Sequence, residues 1–157
     1  MDLRINIRPA APADRDFVLS IAPRLNEFDV PPWRDRAAMN LGDARVLWSA
    51  LTDPPPETSV FIAETNDGTP LGFIHLNVET DYYTREKYGH ISDIVVAPEG
   101  EGRGVGKALM AAGEDWARNR GYRLITLNVF MANTRARALY EHLGYGEDFM
   151  KYVKKLS

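Results

Sequence analysis

A β-branched stretch, HISDIVVAP (90–98), runs into EGEGRGVGKALM (99–110), where Gly102, Gly104 and Gly106 alternate with Arg103 and Val105 ahead of an apolar run. Glycine costs a helix interior about 1 kcal/mol relative to alanine, so three of them at a helix entrance serve another purpose. A strand, a glycine turn and a helix together aim the free N–H groups of the first helical turn at one point. The helix dipole favours negative charge there, and missing side chains let an anion approach closely. Arg103 and Lys107, four residues apart, add charge-assisted donors. The expected fold is therefore α/β (or α+β) around a phosphate cradle.

The spacing narrows the ligand. A P-loop needs G-x-x-x-x-G-K-[ST], but Gly106-Lys107 is followed by Ala108, and position 101 is Glu. A dinucleotide fingerprint needs G-x-G-x-x-G. Counting from Gly102 and Gly104 reaches Lys107, and from Gly104 and Gly106 it reaches Leu109. Both common nucleotide motifs are excluded.

Around this unit the chain alternates strands and helices. LRINIRPA (3–10) alternates apolar and polar residues as a half-buried strand does. A helix follows from Pro12, with Asp14 as its N-cap, through Phe17, Val18, Ile21 and Leu25. DVPPWRD (29–35) reads as a loop and 37–51 as a second helix that TDPPPET (52–58) ends. Strands are expected at 60–64 and 71–80, joined by the turn NDGT, and at 90–98. Val105, Leu109, Ala112 and Trp116 recur at helical spacing over 105–120. A strand at 123–130, a helix at 133–143 and an alternating closing strand at 149–156 complete the pattern.

The composition sets outer bounds. The 157 residues, 45% of them hydrophobic, suit one domain spanning 1–157. A net charge of −3 attracts neither nucleic acid nor anionic membrane. The absence of cysteine excludes disulfides, thiolate metal sites and a cysteine nucleophile. Three scattered histidines have no metal-ligand spacing, so no metal is expected. With neither a signal-type apolar region at the start nor a run of about 20 apolar residues, a cytoplasmic protein is expected.

What remains at the glycine turn is x-x-x-G-x-G/A after a β-strand, and there the chain resembles the Gcn5-related N-acetyltransferase (GNAT) superfamily. Its signature, Q/R-x-x-G-x-G/A, is matched by Glu101-Gly102-Arg103-Gly104-Val105-Gly106, with Glu101 departing from the usual Gln or Arg. NTRARALYEHLGY (133–145) resembles the family's N-x-x-A-x-x-x-Y-x-x-x-G-F/Y helix. The order of elements matches over essentially the whole chain. The resemblance implies a GNAT fold: a mixed, mostly antiparallel sheet of about six to seven strands flanked by about four helices.

It also implies acetyl-CoA as cofactor, with its pyrophosphate on the amides of Glu101 to Lys107. Its pantetheine arm would pair with the backbone of Ile94, Val95 and Val96, with Asn133 nearby. Tyr140 would protonate or contact the departing sulfur. Family members often carry a proton-relaying His or Glu at the positions matched here by His90 and Ser92. Of these, His90 can act as a base near neutrality and Ser92 cannot. Asp93 is a carboxylate on the opposite face of an ideal strand, where Ile91 and Val95 also point, and only a bulge would change that. His75 and His142 read as structural.

The acceptor is expected among the first two helices, the strand 71–80 and its following loop. Candidate contacts are Trp33, Glu79, Asp81 and Ser92, with Asp29, Asp35, Tyr82 and Tyr83 further out. The acceptor is a small-molecule or protein amine, and the closing strand offers an edge for a homodimer. A catalytically weak acyl-CoA sensor or scaffold, and an unrelated phosphate-binding module, are the alternative readings.

Overall fold

In the computed structural model, which describes residues 4–157, five strands stand side by side in sequence order. They are β1 (Asn6–Pro9), β2 (Ser59–Glu64), β3 (Pro70–Thr80), β4 (Lys87–Val96) and β5 (Ile125–Leu127). β1 to β4 pair antiparallel, and β5 joins β4 in parallel. The four helices are α1 (Arg15–Ile21), α2 (Arg36–Thr52), α3 (Val105–Asn119) and α4 (Thr134–His142). Among the described residues no helix is long and apolar enough to cross a membrane.

Each face of the sheet buries its own cluster. Phe73, Ile62, Val60 and Val95 pack with Val18 and Leu47 of α1 and α2. Ile74, Leu76, Ile91 and Leu71 pack with Leu109, Met110 and Trp116 of α3, and Tyr140 of α4 and Leu143 just after it rest on this second cluster. Phe73 and Leu109 are fully buried, each contributing about 2–3 kcal/mol by leaving water.

The expected helices and the first four strands form within a few residues of their predicted limits, although Leu3 lies outside the described residues. Two strand expectations are corrected. The strand foreseen at 123–130 pairs only over Ile125–Leu127. Phe130 leaves the sheet line to pack on Phe28, ring centroids 5.1 Å apart, beneath the guanidinium of Arg34. The closing strand at 149–156 does not form, leaving Phe149, Tyr152 and Leu156 at least 79% exposed. Alternation makes a segment fit for a strand, but only a partner edge satisfies its backbone. The sheet therefore has five strands rather than six or seven.

Asp14 does not cap α1 with its side chain either. Its carboxylate turns back to accept two hydrogen bonds from Arg8, each 2.8 Å, and one from the N–H of Ala11. Those Arg8 bonds hold the carboxyl of Asp14 below the usual carboxylate range. Arg8, which also reaches Glu64 at 2.8 Å, is held protonated more firmly than an ordinary arginine.

Candidate active site

The glycine turn forms as its residue types dictate. Gly102 and Gly104 take φ of +71° and +78°, a region that disfavours side chains, and Gly104 caps α3. A Cβ at either position would meet nothing within 4 Å, so the space above the turn is open. The first-turn N–H groups of Val105, Gly106 and Lys107 have no intrahelical acceptor. Arg103 donates to the carbonyl of Glu99 through Nη1 at 3.0 Å, while its Nε is buried without a hydrogen-bond partner. An open cradle, unpaired amides and an orphaned guanidinium N–H fit a phosphate. Glu101 does not oppose this, because its carboxylate is ion-paired with Arg24 of the 3₁₀ segment Ala22–Asn26.

Beside the turn the sheet is left open. β4 and β5 pair from Gly89 with Ile125 to Ile91 with Leu127, and no further. β4 continues to Val96, still paired with β3 on its other side. The backbone of Ile94, Val95 and Val96 thus presents an edge that β5 does not cover. Asn133 caps α4, its side chain accepting from the N–H of Ala136 at 3.3 Å. Two turns on, Tyr140 is half-buried against the α3 cluster, 6.2 Å from Tyr145 between ring centroids. Burial pushes the Tyr140 hydroxyl above the ordinary phenol range.

A β-bulge rearranges the other face. His75 pairs with Asp93 and Leu76 with Ile91, so Ser92 is an extra residue on β4. Ile91 and Val95 would share a face in an unbroken strand. Here Ile91 packs with α3 and Val95 with α1 and α2. The expected grouping of Ile91, Asp93 and Val95 on one face, and of His90, Ser92, Ile94 and Val96 on the other, is thereby corrected. The bulge turns Asp93 to the α1–α2 side, the side of His75 and His90.

On that side a polar network replaces the apolar packing. His90, 9% exposed, places Nδ1 2.7 Å from Thr126 Oγ1 and Nε2 3.8 Å from Glu79 Oε1. Glu79 also accepts from the Tyr88 hydroxyl at 2.9 Å. Ser92 Oγ accepts from Asn77 Nδ2 at 2.6 Å. His75, 2% exposed, sets Nδ1 2.8 Å from Asp93 Oδ2. Asp43 of α2 accepts from the buried Asn26 at 2.8 Å. Burial pushes the Asp43 carboxyl up, the Asn26 bond pulls it down and the charge of Asp93 raises it again.

The remaining acceptor candidates scatter. Asp81 spends its carboxylate on the N–H groups of Tyr83 and Thr84, at 2.9 and 2.7 Å, which shapes the turn after β3. Asp35 caps α2 by accepting from Ala38 N–H at 3.1 Å. Trp33 stands about half exposed on the loop before α2. A cleft of about 460 Å³ opens between residues 27–29 and the start of α4, lined by Glu27, Phe28, Asp29, Arg36, Asn133 and Arg135. Arg36 ties its wall to the network by donating to the carbonyl of Asn26. His75, Asn77, Asp43 and Asn26 were not singled out for the site from sequence. Their one sequence signal is polarity at positions inside otherwise apolar elements.

Comparison with known proteins agrees with this architecture. The chain matches the acetyltransferase (GNAT) family over residues 22–145. It is 32% identical over 146 residues to the N-acetyltransferase YhfO of Bacillus subtilis, covering 92% of this chain and 91% of that protein. To the aminoalkylphosphonate N-acetyltransferase of Salmonella typhimurium it is 28% identical, covering 96% and 90%. The structure of AAC(6')-Iy with the bisubstrate analog CoA-S-monomethyl-acetylneamine superposes with a TM-score of 0.68 at 25% identity, over 97% of this chain and 99% of that one. The protein belongs to the GNAT family, and is an N-acetyltransferase whose acetyl donor is acetyl-CoA.

Proposed function

We propose that residues 1–157 act as one domain that acetylates the primary amine of a small molecule by direct attack within a ternary complex. The observation that carries this reading is the uncovered edge of β4 running straight into the glycine turn. Acetyl-CoA, when bound, supplies an activated thioester carbonyl. The amides of Gly102 to Lys107 and the free Nε of Arg103 hold the pyrophosphate, and the backbone of Ile94 to Val96 extends the sheet along the pantetheine arm. Asn133 stiffens the start of α4 beside it.

The free edge of β4 separates the two faces, so the chemistry divides between them. Tyr140, on the α3 side, donates its proton to the leaving sulfur, and its raised hydroxyl keeps that proton available at neutral pH. The acceptor enters from the α1–α2 side, where Asp43, Asp93 and Glu79 attract a cation. A small amine is favoured over a protein amine because two similar proteins are named for small amines or bound to an analog of one.

The test is calorimetric titration of acetyl-CoA into wild type and Gly104→Trp, with folding checked by circular dichroism. Thiol release is then followed with spermidine, kanamycin, aminomethylphosphonate and an alanyl peptide. Micromolar binding lost in folded Gly104→Trp, with turnover of a small amine, is expected. Folded wild type that binds no acetyl-CoA would overturn the reading. Turnover of the peptide alone would move the acceptor to proteins.

A further inference from the structure

Thr58, Asn77, His75 and Asp93 form one directed chain of hydrogen bonds. The Thr58 hydroxyl donates to Asn77 Oδ1 at 2.7 Å. The amide nitrogen of Asn77 therefore points to Ser92 Oγ at 2.6 Å and to His75 Nε2 at 3.3 Å. An amide nitrogen only donates, so Nε2 is the unprotonated nitrogen of a neutral ring. The ring's one proton is on Nδ1, directed at Asp93 Oδ2 at 2.8 Å. The chain begins at a hydroxyl and ends on a carboxylate, with His75 buried within it.

Resting on the acetyltransferase reading of this site, we propose that Asp93 accepts the proton of the acceptor amine, and that His75 is the positioning residue holding its carboxylate. Three observations converge. The bulge at Ser92 puts Asp93 on the acceptor side while its neighbour Ile94 stays on the uncovered edge. Asp93 lies beyond the last β4–β5 pair, where that edge opens, whereas His90 lies inside the paired stretch. His90 also has Nδ1 held by Thr126, with Nε2 facing the Glu79 carboxylate at 3.8 Å. His75 cannot take the proton itself without breaking its bond from Asn77, so it remains a donor that fixes one oxygen of Asp93 and leaves Oδ1 to receive.

The step balances. An acceptor amine that has lost its ammonium proton to water uses its lone pair to form the new N–C bond. The electron pair of the C–S bond stays on sulfur, which takes the proton of Tyr140. The proton shed by the acylated nitrogen passes to Asp93 Oδ1. Asp93 and Tyr140 then return to their starting forms by proton exchange with solvent.

The test uses the full chain and whichever amine of the four-member panel turns over fastest. Asp93→Asn should lower kcat at least 100-fold while acetyl-CoA Kd stays within twofold. His75→Leu should lower kcat by about 10- to 100-fold with the KM for acetyl-CoA unchanged. His75→Asn, whose amide can donate in place of Nδ1–H, should recover most of that loss. A merely structural His75 would move Tm without this split and without the rescue. In parallel, nitrogen–proton correlation spectra of histidine-labelled wild type should show His75 neutral with its proton on Nδ1. A proton on Nε2, or folded Asp93→Asn keeping more than a tenth of wild-type kcat, overturns the proposal and leaves the acetyltransferase reading standing. Wild type that binds no acetyl-CoA overturns both.

Discussion

The Glu101 carboxylate is ion-paired with Arg24, 77 residues earlier in the chain, rather than facing the anion cradle it borders. The pair answers the one departure of this sequence from the GNAT signature. A carboxylate free to approach a pyrophosphate would repel it, and one held by a guanidinium on a neighbouring segment is neutralised and turned aside.

Arg24→Ala should therefore weaken acetyl-CoA by about fivefold, roughly the 1 kcal/mol that one released charge costs in a solvent-exposed setting. Glu101→Gln should bind as well as wild type or better, and the double variant should bind like Glu101→Gln. Calorimetry on the four proteins measures the coupling. Equal losses in Arg24→Ala and the double variant would mean that Arg24 contacts the ligand directly.

Tyr140→Phe should lower kcat by about 100-fold or more with little change in acetyl-CoA affinity. Burial raises the Tyr140 hydroxyl above its ordinary value of about 10, so the acid stays protonated across the neutral range. The wild-type kcat profile should accordingly show no Tyr140-dependent fall below about pH 10. An alkaline limb near pH 8 that disappears in Tyr140→Phe would contradict this.

Tyr145 carries a buried hydroxyl with no hydrogen-bond partner and is pushed up to about 12, first by burial and then by the charge of Glu114. Tyr145→Phe removes that unsatisfied group and should raise stability by about 1 kcal/mol at neutral pH. The fold favours the protonated phenol, so the Tyr145 contribution is complete below about pH 10 and is lost as pH rises towards 12. Denaturation series should show a shallower alkaline loss in the variant. A destabilised Tyr145→Phe would reveal a partner for that hydroxyl, such as a bound water.

Arg8→Ala should cost about 2 kcal/mol, because Asp14, 9% exposed, would keep a buried carboxylate without its guanidinium. The Asp14 carboxyl is held below its unfolded value, so the stability it adds is present above about pH 4 and drains away as pH falls through its folded value. Acid unfolding of Arg8→Ala should begin at higher pH than in wild type. Coincident acid transitions would sink this assignment.

The parts legible in the sequence were those written in local pattern. The glycine turn, the cap at Asn133, the helix bearing Tyr140 and the first four strands follow from periodicity, punctuation and motif spacing. What escaped depends on distant partners. Arg24 meets Glu101 only once the 3₁₀ segment has packed near the turn, and His75 reads as an ordinary polar residue in an apolar strand until Asp93 faces it. The short β5 and the absent closing strand had the right alternation, but Phe130 is drawn off to Phe28 and the C-terminal segment finds no edge. Register is a property of two strands, so no reading of β4 alone could place the bulge at Ser92.

That single inserted residue makes β4 a strand written in two phases. Before Ser92, odd-numbered side chains such as Ile91 face α3; after it, even-numbered ones such as Ile94 do. A change of phase is invisible to substitution, because replacing Ser92 by any residue leaves the count intact. Deleting Ser92 would remove the bulge but not the arrangement, because Asp93 would then follow Ile91 directly, still opposite His75, and Ile94 would still face α3. The faces of β4 are thus assigned by its count against β3 rather than by odd and even positions along β4, and no point change at Ser92 alters that count.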